Sequence, residues 1–377
     1  MKETKPSGMP NKPLESSDGF MNRRQFLSVS AAVLGAMASA RTIAKTLQPS
    51  TTVSIAQADT YDRALVRKKI EGMFNQLGGI RDVVGPGDRV VIKVNLTGGL
   101  SRQGKLPYSP IETYFTHPEV VRAVAELAVD SGAKKLYIVD GIFDDISYSE
   151  TGYTAIAKPL HAELIDLNKS DPYKDFAHLK VNRFQIYEEF IFNRLLEEAD
   201  AYISIPKMKC HQGCGVTLSL KNNFGLAPVP FYDNPKKPQH IRAALHGEPK
   251  ESRARLPKVI TDINIARPNH LAVIDGILTS EGGEGPWQKL FKPKRANVLI
   301  AGKDPVAADA IGTAAMGFDP EAKDFEVPFF NSMNHLAMAR AYGLGTNRLN
   351  EIRIVGVDLK QVVQSFTPGR RDERMVP

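Results

Sequence analysis

Short β-branched runs, apolar at nearly every position and alternating with amphipathic stretches, leave this chain few architectures. Thr52 to Ala56, Arg89 to Leu96, Lys135 to Asp140, Ala201 to Ile205, Leu271 to Asp275, Asn297 to Ala301 and Ile352 to Val357 read as strands. A strand that is apolar on both faces must be covered on both, as in a parallel sheet held between helical layers. Helices are expected between them over Asp62 to Leu77, Pro118 to Ser131, Phe190 to Glu198, Leu256 to Ala266, Pro305 to Met316 and Asn334 to Tyr342. Leu65, Val66, Ile70 and Phe74 recur at helical spacing, and Pro118 and Gly132 make a good start and stop for the second helix. The pattern predicts an α/β fold with a mostly parallel, three-layer sheet. Right-handed crossovers then set the loops after the strands along one edge, where ligands usually bind in such sheets.

The arrangement is Rossmann-like but lacks a dinucleotide fingerprint, because no Gly-x-Gly-x-x-Gly follows the first strand. Gly99 to Lys105 has the spacing of a phosphate loop, yet Leu106 and Pro107 follow it and no helix can open there. No Gly-x-Ser-x-Gly nucleophile elbow occurs.

Residues 1–40 differ in kind from the rest. Asn22-Arg23-Arg24-Gln25-Phe26-Leu27-Ser28 precedes the apolar run Val29 to Ala38, with small residues at Ala36 and Ala38. A charged region, a short apolar region and small residues make an export signal, and the paired arginines before Phe-Leu resemble the twin-arginine type. That resemblance implies the twin-arginine export machinery as a partner and a periplasmic or otherwise extracytoplasmic destination. The apolar run falls short of the ~20 residues that span a bilayer, so a chain soluble after export is expected. Residues 41–50 read as a linker and 51–360 as one α/β domain. Within that domain, 142–190 is expected as an excursion and 227–256, rich in Pro, Lys, Arg and His, as an irregular loop or lid. Residues 361–377 form a charged tail, expected to fray from Pro368 onward.

The formal net charge is +7; five Lys/Arg and three Asp/Glu in residues 1–40 leave +5 for the remainder. That excess is spread along the chain, and with one Trp and no nucleic-acid module it argues against DNA or RNA as a partner. An anionic small molecule suits it better. The only two cysteines fall in Cys210-His211-Gln212-Gly213-Cys214, so no disulfide scaffold holds the fold.

The densest chemistry follows the fourth strand, from Lys207-Met208-Lys209-Cys210-His211 to Lys221-Asn222-Asn223-Phe224-Gly225. Packing alone does not call for this mixture of cations, thiols and imidazole. Lys93 interrupts an apolar strand; it sits either at a sheet edge with its ammonium reaching out, or in a cationic pocket. The recurrence of Lys93, Lys207, Lys209 and Lys221 at strand ends and turns favours a pocket for a carboxylate or phosphate. Asp140 and Asp275 each end an apolar strand before Gly, and Glu281 and Glu284 sit in a Gly-rich loop. Asp304 reads as a helix cap before Pro305, and Thr116 as a cap with His117 a weaker candidate.

In order, Lys93-Val94-Asn95, Thr116-His117-Pro118-Glu119, Asp140-Gly141, the Lys207 to Gly225 stretch, Asp275-Gly276-Ile277 with Glu281 to Pro286, and Asp304 to Asp309 resemble motifs of the DUF362 family. The resemblance covers about residues 52–357. It implies the fold, whereas the family has no general assigned reaction. Cys210 stands where the family usually has Thr, and Cys214 is also a departure.

Together these features predict an exported enzyme acting on an anionic or carbonyl-bearing small molecule, by redox or metal-assisted chemistry among other routes. The competing readings are a binding protein for an anion or metal and an accessory factor of a redox complex. His211, Lys207, Lys221, Asp275, Glu281 and Glu284 are the expected catalytic groups. Lys93, Asn95, Lys207, Lys209 and Asn222 are the expected substrate contacts, and the 227–256 segment with His240 and His246 the cover. Cys210, His211 and Cys214 could hold a transition metal, Cys210 and Cys214 could form a disulfide, or Cys210 could simply pack. A complete protein-held iron–sulfur cluster is not expected from two cysteines.

Overall fold

The computed structural model describes residues 51–101, 106–234, 236 and 241–370, except the side chains of 249 and 250. The segment expected to be an export signal and His240 lie outside the described residues. The chain divides into Met1–Gln48 and Pro49–Pro377, and every described residue belongs to the second unit.

Twelve strands are seen: β1 Thr51–Gln57, β2 Arg89–Lys93, β3 Lys135–Asp140, β4 Glu163–Asp166, β5 Phe176–Lys180, β6 Glu189–Asn193, β7 Ala201–Ser204, β8 Lys207–His211, β9 Gly215–Thr217, β10 Leu271–Glu281, β11 Lys292–Gly302 and β12 Ile352–Gly356. The longer helices are α1 Arg63–Gln76, α2 Pro118–Asp130, α3 Pro249–Ala266, α4 Pro305–Ala315 and α5 His335–Ala341. The main sheet runs β12-β1-β11-β10-β7-β2-β3-β4, with β8 beside β10 and β9 beside β8. Along that path β11 alone is reversed, since it is antiparallel to both neighbours.

Alternation along the strands sorts the core into two layers. Val91, Tyr137, Val139, Tyr202, Ile274 and Ile300 face one side with Val259, Ile263 and Ile311. Val90, Ile92, Ile138, Ile203, Val273 and Leu299 face the other with Val66, Ile70, Phe74, Val120 and Val124. Both faces are dry, so the expected three-layer α/β sheet is the one observed. None of the described helices is long and apolar enough to cross a membrane.

Three expectations are corrected. The helix expected over Phe190 to Glu198 is instead β6 followed by a single turn at Leu195–Glu198. Phe190 and Phe192 recur with period two and are both fully buried, a strand pattern that the apolar content disguised. The 227–256 segment is not one irregular loop: it holds short helices at Val229–Tyr232 and Ala243–His246 and the opening turns of α3. The described start of the tail is held rather than frayed: the Arg370 carbonyl accepts from Asn331 Nδ2 at 2.9 Å, and just ahead of it Gln364 and Phe366 donate backbone N–H bonds to Ala315 and Met316.

The least expected element is the β8–β9 hairpin, which sequence reading left as a turn. Its parallel pairing sets Asp275 opposite Lys207 and Ser280 opposite Lys209. Its antiparallel pairing sets Lys209 opposite Thr217 and His211 opposite Gly215.

Candidate active site at the carboxyl edge of the sheet

Strand alternation turns Lys207, Lys209 and His211 to one face of β8 and Met208 and Cys210 to the other. Lys207, at the start of β8, is wholly engaged. Its ammonium bonds the Asp275 carboxylate at 2.8 Å, the Leu278 carbonyl at 2.8 Å, and the Tyr61 hydroxyl and Ile111 carbonyl at 3.0 Å each. The carboxylate also accepts from Tyr61 Oη at 2.7 Å and from the His117 amide at 2.9 Å. Both side chains are fully buried, so Lys207 and Asp275 form a latch that joins β8, β10 and the start of α2. Burial lowers the lysine pKa, and Asp275 opposes that shift.

A second buried pair lies at the ends of β2 and β3. Lys93 Nζ is 2.7 Å from Asp140 Oδ1 and donates to the Val94 carbonyl at 2.6 Å and to Asn222 Oδ1 at 3.3 Å. β2 lies between β7 and β3, so Lys93 is not at a sheet edge. Asn95 donates to the same Asn222 oxygen at 3.1 Å, so the expected trio of Lys93, Asn95 and Asn222 does meet. Gly225 is required beside it: a Cβ there would stand 2.7 Å from Asp140 Oδ1 and 2.9 Å from Lys93 Nζ. Arg242, which sequence reading missed inside a generally basic segment, is held at φ 60° and donates to the Ala227 and Gly141 carbonyls at 2.5 and 3.1 Å. It pins the 227–256 segment to this edge.

Lys209 and Lys221 differ from these anchored cations. Lys209 is fully buried and, among the described residues, bonds only the Tyr114 carbonyl, at 2.7 Å, with no carboxylate in ion-pair range. Desolvation pulls its pKa down to about 7, opposed by Glu284 and reinforced by Lys207 and Lys221. Lys221 makes no hydrogen bond or ion pair; its Nζ sits 4.0 Å from the centre of the Phe224 ring. Its pKa is also lowered, chiefly by burial, with Cys214 and Glu284 opposing. His211 accepts the Gly213 amide at Nδ1 at 2.9 Å. Part of the residue reaches solvent, yet burial of the ring drives its pKa to about 3. Burial alone would raise Glu284, but His211 and the Gln212 amide hold it near 2. Its oxygens accept from Gln212 N at 3.0 Å, Trp287 Nε1 at 3.2 Å and Gln288 Nε2 at 2.8 Å. Lys209, Lys221, His211 and Glu284 thus share one electrostatic centre. At neutral pH it holds a buried amine close to its titration point, a second lysine whose pKa is also lowered, a neutral imidazole and a carboxylate. That set can attract an anion and move a proton.

Other expected groups fall elsewhere. Glu281 accepts the Thr367 amide at 2.9 Å and lies 3.3 Å from Lys294, on the side of the irregular C-terminal stretch. Cys210 and Cys214 do not form a disulfide here: both thiols are free and buried, donating to Thr367 O and Val216 O respectively. Burial pushes both up to about 12, which disfavours the thiolates that metal binding and redox exchange need. Cys210 also faces away from His211. Among the described residues no group of three or more His, Cys, Asp or Glu is arranged to hold a metal.

Thr116 is a staple, accepting from Asn95 N and donating to Ile205 O; His117 is the helix cap. Asp304 caps α4 as expected. Asp309, which in the sequence only closes the Asp304 to Asp309 motif, accepts Ser219 N at 2.7 Å and Leu220 N at 2.8 Å, fixing the Ser219–Asn222 turn that carries Lys221 and Asn222. Among the described residues there are open clefts of about 280 and about 310 Å³ that these lysines do not line.

The family model described as "Domain of unknown function (DUF362)" matches residues 90–314, a span that contains every residue of this centre. A thylakoid-associated protein of Synechocystis is 26% identical over 273 residues, covering 71% of this chain and 75% of its own length. A crystal structure of a Thermotoga maritima protein aligns at TM-score 0.41 and 15% identity, over 70% of this chain and 61% of that one. The lactate racemase apoprotein of Thermoanaerobacterium thermosaccharolyticum aligns at 0.39 and 12%, over 70% and 57%.

Proposed function

We propose, from the premise that this chain belongs to the DUF362 family, that it is an exported enzyme moving a proton on a small anionic or carbonyl-bearing molecule. The observation that carries the reading is Lys209, whose ammonium is fully buried with one carbonyl acceptor and no counterion. A purely structural lysine in such a place would be expected to find a carboxylate, as Lys93 and Lys207 both do. A buried amine titrating near neutrality suits a general base or acid, the pattern found where chemistry is done.

In this reading Lys221 attracts the ligand's negative charge and Lys209 takes or returns the proton. His211 and Glu284 shape the field, and the Lys93–Asp140 and Lys207–Asp275 pairs keep the strand ends in register. The segment carrying Arg242 and His246 covers the ligand. The thylakoid association of the Synechocystis relative belongs to that protein; for this chain the paired arginines favour export instead.

Ligand screening by thermal shift, with isotope exchange into whichever anions or carbonyl compounds bind, tests this. Exchange that Lys209→Met abolishes while binding survives supports the proposal. Stoichiometric binding without exchange or turnover would leave a binding protein and defeat the enzymatic reading.

A further inference from the structure

Donors outnumber acceptors at one place in the interior. Among the described residues, buried Lys209 uses one of its three N–H bonds, and Lys221, half-buried beside it, uses none. The register sets Thr217 on one side of Lys209 and Ser280 on the other, with all three side chains on the same face of the β9-β8-β10 ribbon. Thr217 Oγ1 and Ser280 Oγ are both buried without a partner. His335, fully buried at the start of α5 and within electrostatic reach of Lys221, has neither ring nitrogen partnered. The anchored cations nearby, Lys93, Lys207 and Arg242, do have their acceptors. Glu284 does not make up the deficit: its oxygens take the Gln212, Trp287 and Gln288 donors and, among the described residues, bond neither lysine. An unpaired buried donor costs about 1–3 kcal/mol, more when charged.

From this deficit we infer that the centre is the seat of a compact oxyanion, a carboxylate or phosphoryl group, whose oxygens accept from Lys209, Lys221, Thr217 and Ser280. The inference rests on the reading of this centre as a small-molecule site and names the group by which the ligand is held. Two cations and two hydroxyls on converging elements match a planar or tetrahedral group with two or more oxygens. A neutral carbonyl would leave Lys221 unanswered. The anion also stabilises charged Lys209, so binding takes up a proton wherever the free amine is neutral, above pH 7.

Isothermal titration of the mature protein with inorganic phosphate and with oxalate, at pH 6 and pH 8.5 in two buffers of different ionisation enthalpy, tests it. We expect one-to-one binding of at least one oxyanion, weakened roughly tenfold or more at the higher pH, with proton uptake there. Thr217→Val and Ser280→Ala should each lower affinity several-fold at unchanged melting temperature, and Lys221→Met should abolish binding. Binding of a neutral ketone that survives Lys209→Met while its isotope exchange is lost, with no affinity for either oxyanion, overturns the inference and leaves the proton-transfer centre standing. Oxyanion affinity unchanged in Thr217→Val, Ser280→Ala and Lys221→Met also overturns it, because the anion then binds elsewhere. Isotope exchange that persists in Lys209→Met defeats the functional reading itself.

Discussion

Lys209 is destabilising where it stands, and that is its diagnostic. Its native value near 7 lies below the ordinary lysine value of about 10.4, so between the two the unfolded chain binds a proton that the native chain does not. Its contribution to stability therefore rises with pH through that window and is at its worst below pH 7. Lys209→Met should melt higher than the parent at pH 7, with the difference closing toward pH 10, while turnover is lost; differential scanning calorimetry across that range checks it. The anchored lysines predict the reverse. Asp140→Ala strands the Lys93 ammonium in the interior and should cost about 3–5 kcal/mol in urea unfolding. Gly225→Ala forces a Cβ into the same pair and should also destabilise.

Among the elements, the Ser219–Asn222 turn and the β8–β9 hairpin decide what the sheet edge can do. Asp309 holds two amides of that turn, so Asp309→Ala should cost about 1–3 kcal/mol and weaken ligand binding through Lys221 and Asn222, without touching ligand itself. Comparing unfolding with binding separates the two effects. The seven strands expected from apolar runs are all present: most are buried on both faces and their residues declare it, while β12, at the sheet edge, is only partly covered. β8 was not legible: Lys207, Lys209 and His211 make it look like a solvated loop, and only the register with β10 turns those side chains inward. The same register parts the lysines into roles. Sequence placed Lys93, Lys207, Lys209 and Lys221 at one edge, but it could not show that Asp140 and Asp275 occupy two of them. Nor could it show that Glu281 and Cys210 face the C-terminal stretch, since one-residue alternation decides a side chain's face. Asp309 gave no signal beyond a helix-start motif, because its partners are backbone amides ninety residues away.

For the whole molecule, burial sets an acid limit. His117, His211 and His335 are each driven down to about 3 by burial, and Glu284 is held near 2. The unfolded chain binds those protons first, so stability should fall as pH drops below about 6.5, measured as a falling urea midpoint. Asp309, raised by burial to about 8, works the other way: its contribution declines as pH rises from about 4 toward 8. Three imidazoles and a carboxylate outweigh it on the acid side. The proposed export belongs to this scale too: if the paired arginines are its signal, replacing Arg23 and Arg24 with Lys should hold the folded protein in the cytoplasm, as cell fractionation would show. The centre itself is tested most directly by a carbon-13 NMR titration of the mature protein labelled at lysine Cε, with Lys209 assigned through Lys209→Met. A Lys209 resonance titrating near 7, and moving upward when phosphate or oxalate is added, is the expected result. A Lys209 that titrates near 10 like a surface lysine, unmoved by either anion, would contradict it.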